Sequence, residues 1–188
     1  VGAIALDVAR DSAGWDALPE AEALAERALA AAAERAGVQL RPNAEVSLLL
    51  TGDEQMRGLN REWRAKDKPT NVLSFPAVQP DKLPRAPFLG DIAVAFETLA
   101  REAEEEGKAV GDHYTHLVVH GFLHLLGYDH QTDAEADAME RLETQILGAL
   151  GVEDPYADTD PAASDEHRPH PGGPLDGGRR RGRMTEGP

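Results

Sequence analysis

His120-Gly121-Phe122-Leu123-His124-Leu125-Leu126-Gly127-Tyr128-Asp129-His130 is the stretch from which the rest of the chain can be read. Its histidines stand at offsets 0, 4 and 10, with a glycine at offset 7. On a helix from Asp112 to Leu126, the apolar residues Leu117, Val118, Val119, Phe122, Leu123, Leu125 and Leu126 cover nearly every direction, so the helix is predicted to be buried. His116, His120 and His124 then share one stripe, with His113 close to it. Buried imidazoles are costly without partners, and a metal ion satisfies two at once. Gly127 can take a left-handed conformation and end the helix, letting the chain turn until His130 meets the same ion. His113 and His116 precede the ligand set and are expected beside it as supports or at the surface. Asp129 is expected either to orient a ligand imidazole or to cap the turn.

Three imidazoles suit Zn²⁺ best among common metals, and nickel and copper also accept them. The chain has no cysteine, which removes disulfides, thiolate zinc fingers and thiol catalysis. Structural zinc normally has four protein ligands. Three ligands with a zinc-bound water in the fourth position is the catalytic pattern, and such a water can ionise near neutral pH. The spacing is similar to that of metzincin peptidases, which carry a glutamate directly after the first histidine as general base. Here that position is Gly121. The usual route of peptide hydrolysis is disfavoured, and a substrate carrying its own nucleophile fits better. RNA does, through its 2′-hydroxyl.

Outward from this segment, the chain alternates strands and helices. Ile4–Val8 and Ile92–Phe96 read as strands, and Val72–Phe75 as a short strand stopped by Pro76. Glu45–Leu50 is apolar nearly throughout, which predicts a strand buried on both faces. Pro19–Ala36 reads as a helix closed by Gly37. Thr51 to Glu54 has capping-box form and is expected to open a helix reaching Arg64. Ala77–Pro87 is proline-rich and reads as a loop. Further helices are predicted at Glu97–Glu106 and Thr132–Leu150, the last with an apolar face of Met139, Leu142, Ile146 and Leu150. The expected organisation is one α+β domain over 1–156. Residues 157–188, with five prolines, six glycines and the cluster Arg179-Arg180-Arg181-Gly182-Arg183, read as a disordered tail.

No apolar run approaches a membrane span, and no basic flank precedes an apolar stretch at the N-terminus; a soluble, cytoplasmic protein is expected. The formal net charge is −15, which argues against a broad nucleic-acid surface. Any RNA contact must rest on a local patch. Arg57, Arg61 and Arg64 supply one at offsets 0, 4 and 7 of a helix, followed by Lys66 and Lys68. Met56, Leu59 and Trp63 form a separate apolar face that should pack.

The run Leu59-Asn60-Arg61-Glu62-Trp63-Arg64-Ala65-Lys66-Asp67-Lys68-Pro69-Thr70-Asn71-Val72-Leu73-Ser74-Phe75-Pro76 resembles the first signature of the bacterial YbeY family. Leu89-Gly90-Asp91-Ile92 resembles its second, and His120 to His130 its metal motif. The resemblance covers essentially 1–156. It implies a zincin-like α+β fold, with a mixed sheet of about four strands surrounded by helices. It implies a zinc-dependent, single-strand-specific endoribonuclease in rRNA maturation, including 16S rRNA 3′-end processing, and in ribosome quality control. Implied partners are rRNA, the small ribosomal subunit and assembly factors, with neither DNA nor membrane. Implied roles are zinc ligands at His120, His124 and His130, a functional arginine at Arg64, and a cleft position for Asp91. Attack by zinc-bound hydroxide and attack by the 2′-hydroxyl both remain open. Two other readings stand beside this one: a peptidase-like hydrolase with its base elsewhere, for example Asp129, and a non-catalytic assembly factor stabilised by zinc.

Overall fold

A computed structural model of the chain describes residues 3–156. The tail expected at 157–188 and its arginine cluster lie outside the described residues. The elements run β1 (Ala5–Arg10), α1 (Ala21–Arg35), β2 (Glu45–Thr51), α2 (Asp53–Arg64), β3 (Val72–Pro76), β4 (Phe88–Ala95), α3 (Phe96–Glu105), α4 (Val110–Leu125) and α5 (Asp133–Ala149). Short 3₁₀ turns occupy Ala13–Ala17 and Pro80–Arg85. The sheet order is β1-β2-β4-β3. β1, β2 and β4 run parallel, and β3 lies antiparallel to β4 at the edge. The mixed four-stranded sheet with surrounding helices is thus the expected one.

One sheet face is covered and the other is largely open. Val46, Leu48, Leu50, Val72, Ile92 and Val94 join the main core with α1, α4 and α5. Across the sheet, Met56, Leu73, Ala93 and Ala95 make a much smaller cluster under α2. The expectation that β2 is buried on both faces therefore fails. Its burial alternates, with Ser47 and Leu49 only half covered, because a single short helix roofs that side. Trp63 is likewise not packed away; it is 64% exposed at the end of α2.

The capping box proposed at Thr51 does not form. Thr51 is the buried last residue of β2, paired with Ala95, and its carbonyl accepts the Trp15 indole N–H at 2.8 Å. Sheet pairing outcompetes the cap, and the Asp53 N–H at the start of α2 finds the Glu97 carboxylate instead, at 3.0 Å. The second predicted cap does form: Thr132 Oγ1 accepts the Glu135 N–H. β4 begins at Phe88 rather than at Ile92. The proline and glycine around its start hide it, but pairing with β2 extends it.

Candidate metal centre

α4 is buried along nearly its whole length, wedged between the sheet and α1 and α5. One turn apart on it, His120 and His124 face the same side, with ring centroids 4.6 Å apart. Gly127 then takes φ +94°, and the Tyr128 N–H bonds back to the Leu123 carbonyl. The turn returns His130 to within 5.2 Å of the His124 ring and 6.0 Å of the His120 ring. One ring nitrogen from each histidine lies within 4.8 Å of the other two.

Hydrogen bonding fixes which nitrogens face inward. His120 Nδ1 sits 2.5 Å from Glu143 Oε1, and His124 Nδ1 sits 2.9 Å from the Tyr128 carbonyl. A carbonyl only accepts, and an ionised carboxylate only accepts, so both Nδ1 atoms carry the proton. Both Nε2 atoms are then lone-pair bearers, and they face each other at 3.1 Å. Two acceptors at that distance repel unless a cation lies between them. Tetrahedral zinc with Zn–N of about 2.0–2.1 Å would space its nitrogens by about 3.3 Å. The donor set fits such an ion. Burial, then the neighbouring His120 and His130, push His124 down to about 4, so it is a neutral, ready ligand at neutral pH.

Glu143 is the residue that sequence reasoning missed. It is fully buried on α5 and receives three contacts: His120 Nδ1, His116 Nε2 at 3.2 Å and the Tyr156 hydroxyl at 2.6 Å. Burial alone would raise its pKa, but the hydrogen bonds from His116 and His120 hold the carboxyl well below its usual range. A signal was present: Glu143 falls four residues after Met139 and three before Ile146, on the face that packs into the core. A glutamate at a core position of an amphipathic helix needs a partner.

The other expected residues fall as follows. His116 touches none of the three ligands' inward nitrogens and reaches the site through Glu143. His113 is buried rather than exposed, 3.7 Å from Glu102 with neither ring nitrogen hydrogen-bonded. Asp129 caps its own turn by accepting the His130 N–H at 2.7 Å; no ligand imidazole is oriented by it. Arg57 is held by Asp67 through two bonds of 2.7 and 3.1 Å, and Arg61 lies 3.8 Å from the same carboxylate. The patch is therefore partly neutralised from within. Lys66 and Lys68 follow on the loop, Lys68 exposed. Arg64 ends α2 against edge strand β3, donating to the Ser74 carbonyl at 2.9 Å with its guanidinium 5.7 Å from the Phe75 ring centroid. Asp91 lies on β4, on the open sheet face, away from the histidines.

Gly121 also acquires a reason. A Cβ there would meet Ile92 Cγ2 and Ser74 Oγ at 3.1 Å and Val72 Cγ2 at 3.4 Å. The position faces the sheet at close approach, so a side chain there would need Ile92 and Ser74 to give by a few tenths of an ångström.

A family model described as Endoribonuclease YbeY matches residues 11–151. The chain belongs to this family. Similar YbeY relatives include Endoribonuclease YbeY of a Bradyrhizobium species, 56% identical over 150 residues that cover 77% of this chain and 87% of the relative. That of Allorhizobium ampelinum is 51% identical over 158 residues, covering 81% and 94% respectively. The solution structure of TM1509 from Thermotoga maritima superposes with a TM-score of 0.51 at 24% identity, over 83% of this chain and 97% of that one. It has the same fold. The YbeY resemblance read from the three motifs is borne out, and the three-histidine cluster is the one group of candidate metal ligands among the described residues.

Proposed function

We propose that this chain is a zinc-dependent, single-strand-specific endoribonuclease that acts in the cytoplasm on rRNA precursors, with the small ribosomal subunit and assembly factors as partners. One observation carries this beyond family membership. The Arg64 guanidinium is anchored on edge strand β3 at Ser74, and the Ser74 side chain packs at Gly121, next to His120. A guanidinium thus stands on the strand that packs against α4 at Gly121, next to His120.

His120, His124 and His130 would hold the metal, with Glu143 and the Tyr128 carbonyl keeping two imidazoles in the required tautomer. A bound zinc supplies Lewis acidity toward a phosphoryl oxygen and lowers the pKa of a water. Arg64 would exchange its Ser74 carbonyl for a phosphoryl oxygen and stabilise the charge that develops there. Its neighbours Arg57 and Arg61 reach phosphate only by releasing Asp67, so Lys66, Lys68 and Arg64 carry the first contact. The peptidase reading loses support at Gly121, which carries no base and faces the sheet at close approach.

The net charge of −15 opposes capture of free RNA. Association through the ribosome would supply the missing attraction, and naked RNA is expected to be a poor substrate. The test is metal analysis combined with cleavage of rRNA precursor. Wild type should bind one zinc and cut. His124→Ala should lose both properties. Arg64→Ala should keep the zinc and lose cleavage by roughly a hundred-fold or more. Normal cleavage by Arg64→Ala would make Arg64 structural, and a holo protein that never cuts would leave a non-catalytic zinc-stabilised factor.

A further inference from the structure

The open sheet face carries a second feature, separate from the histidines. Sheet register places Ser47, Asp91 and Phe75 side by side across β2, β4 and β3. The next row is Leu49, Ala93 and Leu73, with Ala9 of β1 beside Leu49. α2 roofs only one end of these rows, with Leu59 and Trp63. The result is a cleft of about 350 Å³, apolar except for Ser47 and Asp91. That volume is in the range of small-ligand sites.

Its chemistry is divided in an informative way. The walls include two aromatic rings, Trp63 and Phe75, 6.0 Å apart and edge-on. Trp63 is the one large apolar side chain left exposed among the described residues. The floor carries the Asp91 carboxylate, whose pKa is raised by burial. The rim carries a cation: the Arg64 guanidinium stands over Phe75, 5.7 Å from its ring centroid.

We infer that this cleft binds an unpaired base of single-stranded RNA, with Trp63, braced edge-on by Phe75, stacking on the base and Asp91 accepting from its edge, guanine above the others. The inference rests on the RNA reading of the metal centre. A phosphate cannot enter, because the floor is acidic, whereas it suits the rim. An apolar peptide side chain would leave Asp91 covered and unpaired. A base satisfies both parts: it is flat, uncharged and edged with donors, and its own phosphate stays outside. Arg64 links the two faces of β3, since it touches Phe75 on the outer face and the Ser74 carbonyl, while the Ser74 side chain packs at Gly121, next to His120. A strand crossing that edge would seat a base in the cleft while a neighbouring phosphate meets Arg64. Guanine is favoured because N1–H and the 2-amino group donate side by side to the two carboxylate oxygens. Adenine and cytosine offer one amino group, and uracil flanks its single N–H with two acceptors.

The probes are a short oligouridylate, the same strand with one central guanosine, and that strand with inosine in place of guanosine. Binding to the zinc-loaded full chain is followed by tryptophan fluorescence, since Trp15 is buried and Trp63 is accessible. The guanosine strand should bind roughly ten-fold tighter than oligouridylate, with inosine between them. Asp91→Asn should erase that preference, so that the three strands bind alike. Trp63→Ala should weaken all three by roughly ten-fold, read by anisotropy of a labelled strand, and Trp63→Phe should recover most of it. Both positions are exposed, so the fold should tolerate these changes. If wild type cleaves RNA while Trp63→Ala and Asp91→Asn bind all three strands as wild type does, the cleft assignment is wrong and the endoribonuclease reading stands. If those variants keep RNA binding but lose co-sedimentation with the small ribosomal subunit, the cleft takes a protein, which also overturns the assignment. If wild type shows no preference among the three strands, the cleft assignment is wrong; if it does not cut rRNA precursor even with the small ribosomal subunit present, the functional reading itself has failed.

Discussion

Replacing Glu143 by glutamine isolates what the buried carboxylate does for the candidate metal site. The shapes match, but glutamine brings one acceptor oxygen and one donor amide where three donors converge: His120 Nδ1, His116 Nε2 and the Tyr156 hydroxyl. At least one of them must face an NH₂ group. If His120 does, its proton shifts from Nδ1 to Nε2, and the nitrogen aimed at the metal is no longer a ligand. If His116 or Tyr156 does, a buried donor is left unpaired, which costs about 1–3 kcal/mol of stability. Loss of a partner behind a ligating histidine typically weakens metal affinity by about 10–100-fold, or about 1.4–2.7 kcal/mol. Zinc affinity measured by chelator competition should fall by that amount in Glu143→Gln, with the far-ultraviolet circular dichroism retained. The imidazole ¹⁵N shifts of His120 should report a changed tautomer. Affinity within two-fold of wild type, with the His120 tautomer unaltered, would refute the argument that Glu143 fixes this ligand.

Other perturbations give further checks. Gly121→Glu should not create a peptidase; its side chain would be driven into Ile92, Ser74 and Val72, and the melting temperature should drop sharply in calorimetry. Gly90→Ala should be more damaging than an ordinary strand substitution, because φ is +144° and a Cβ would lie 2.4 Å from the Phe75 carbonyl oxygen; denaturant titration should show a loss of about 3 kcal/mol or more. In the metal-free protein His124 holds its proton only below about pH 4, against about 6.5 when unfolded. The unfolded chain therefore takes up the proton first. The stability from neutral His124 is complete above pH 6.5 and is lost as pH falls toward 4, by at most about 3 kcal/mol, which equilibrium unfolding across that range can read. Adding zinc at about a hundred times its dissociation constant should contribute about 2.7 kcal/mol, and chelation should reverse the rise in melting temperature.

Much of the candidate metal centre could be read from one segment because its geometry is local. Helical spacing places His120 and His124 on one stripe, and Gly127 permits the turn that returns His130. The order and type of the elements were legible for the same reason, since periodicity and cap residues act over a few positions. Thr51 shows the limit. Its local pattern is a good cap, yet pairing with Ala95 in a parallel sheet draws it into β2, and a residue 46 positions away supplies the Asp53 partner instead. Helical spacing also puts Arg57, Arg61 and Arg64 on one face, but the folded-back Asp67 decides that only Arg64 is turned toward β3.

The sequence by itself determined three inward imidazoles, a missing base at Gly121 and the membership these motifs announce. Only the tertiary structure decided which protons those imidazoles carry. Glu143 arrives from another helix, 23 residues on from His120, and nothing in local spacing predicts which histidine it meets. Tertiary structure also decided that one face of the sheet stays open. Whether a strand is covered on one side or two depends on how many helices pack over it, which is a property of the whole chain and of no segment within it.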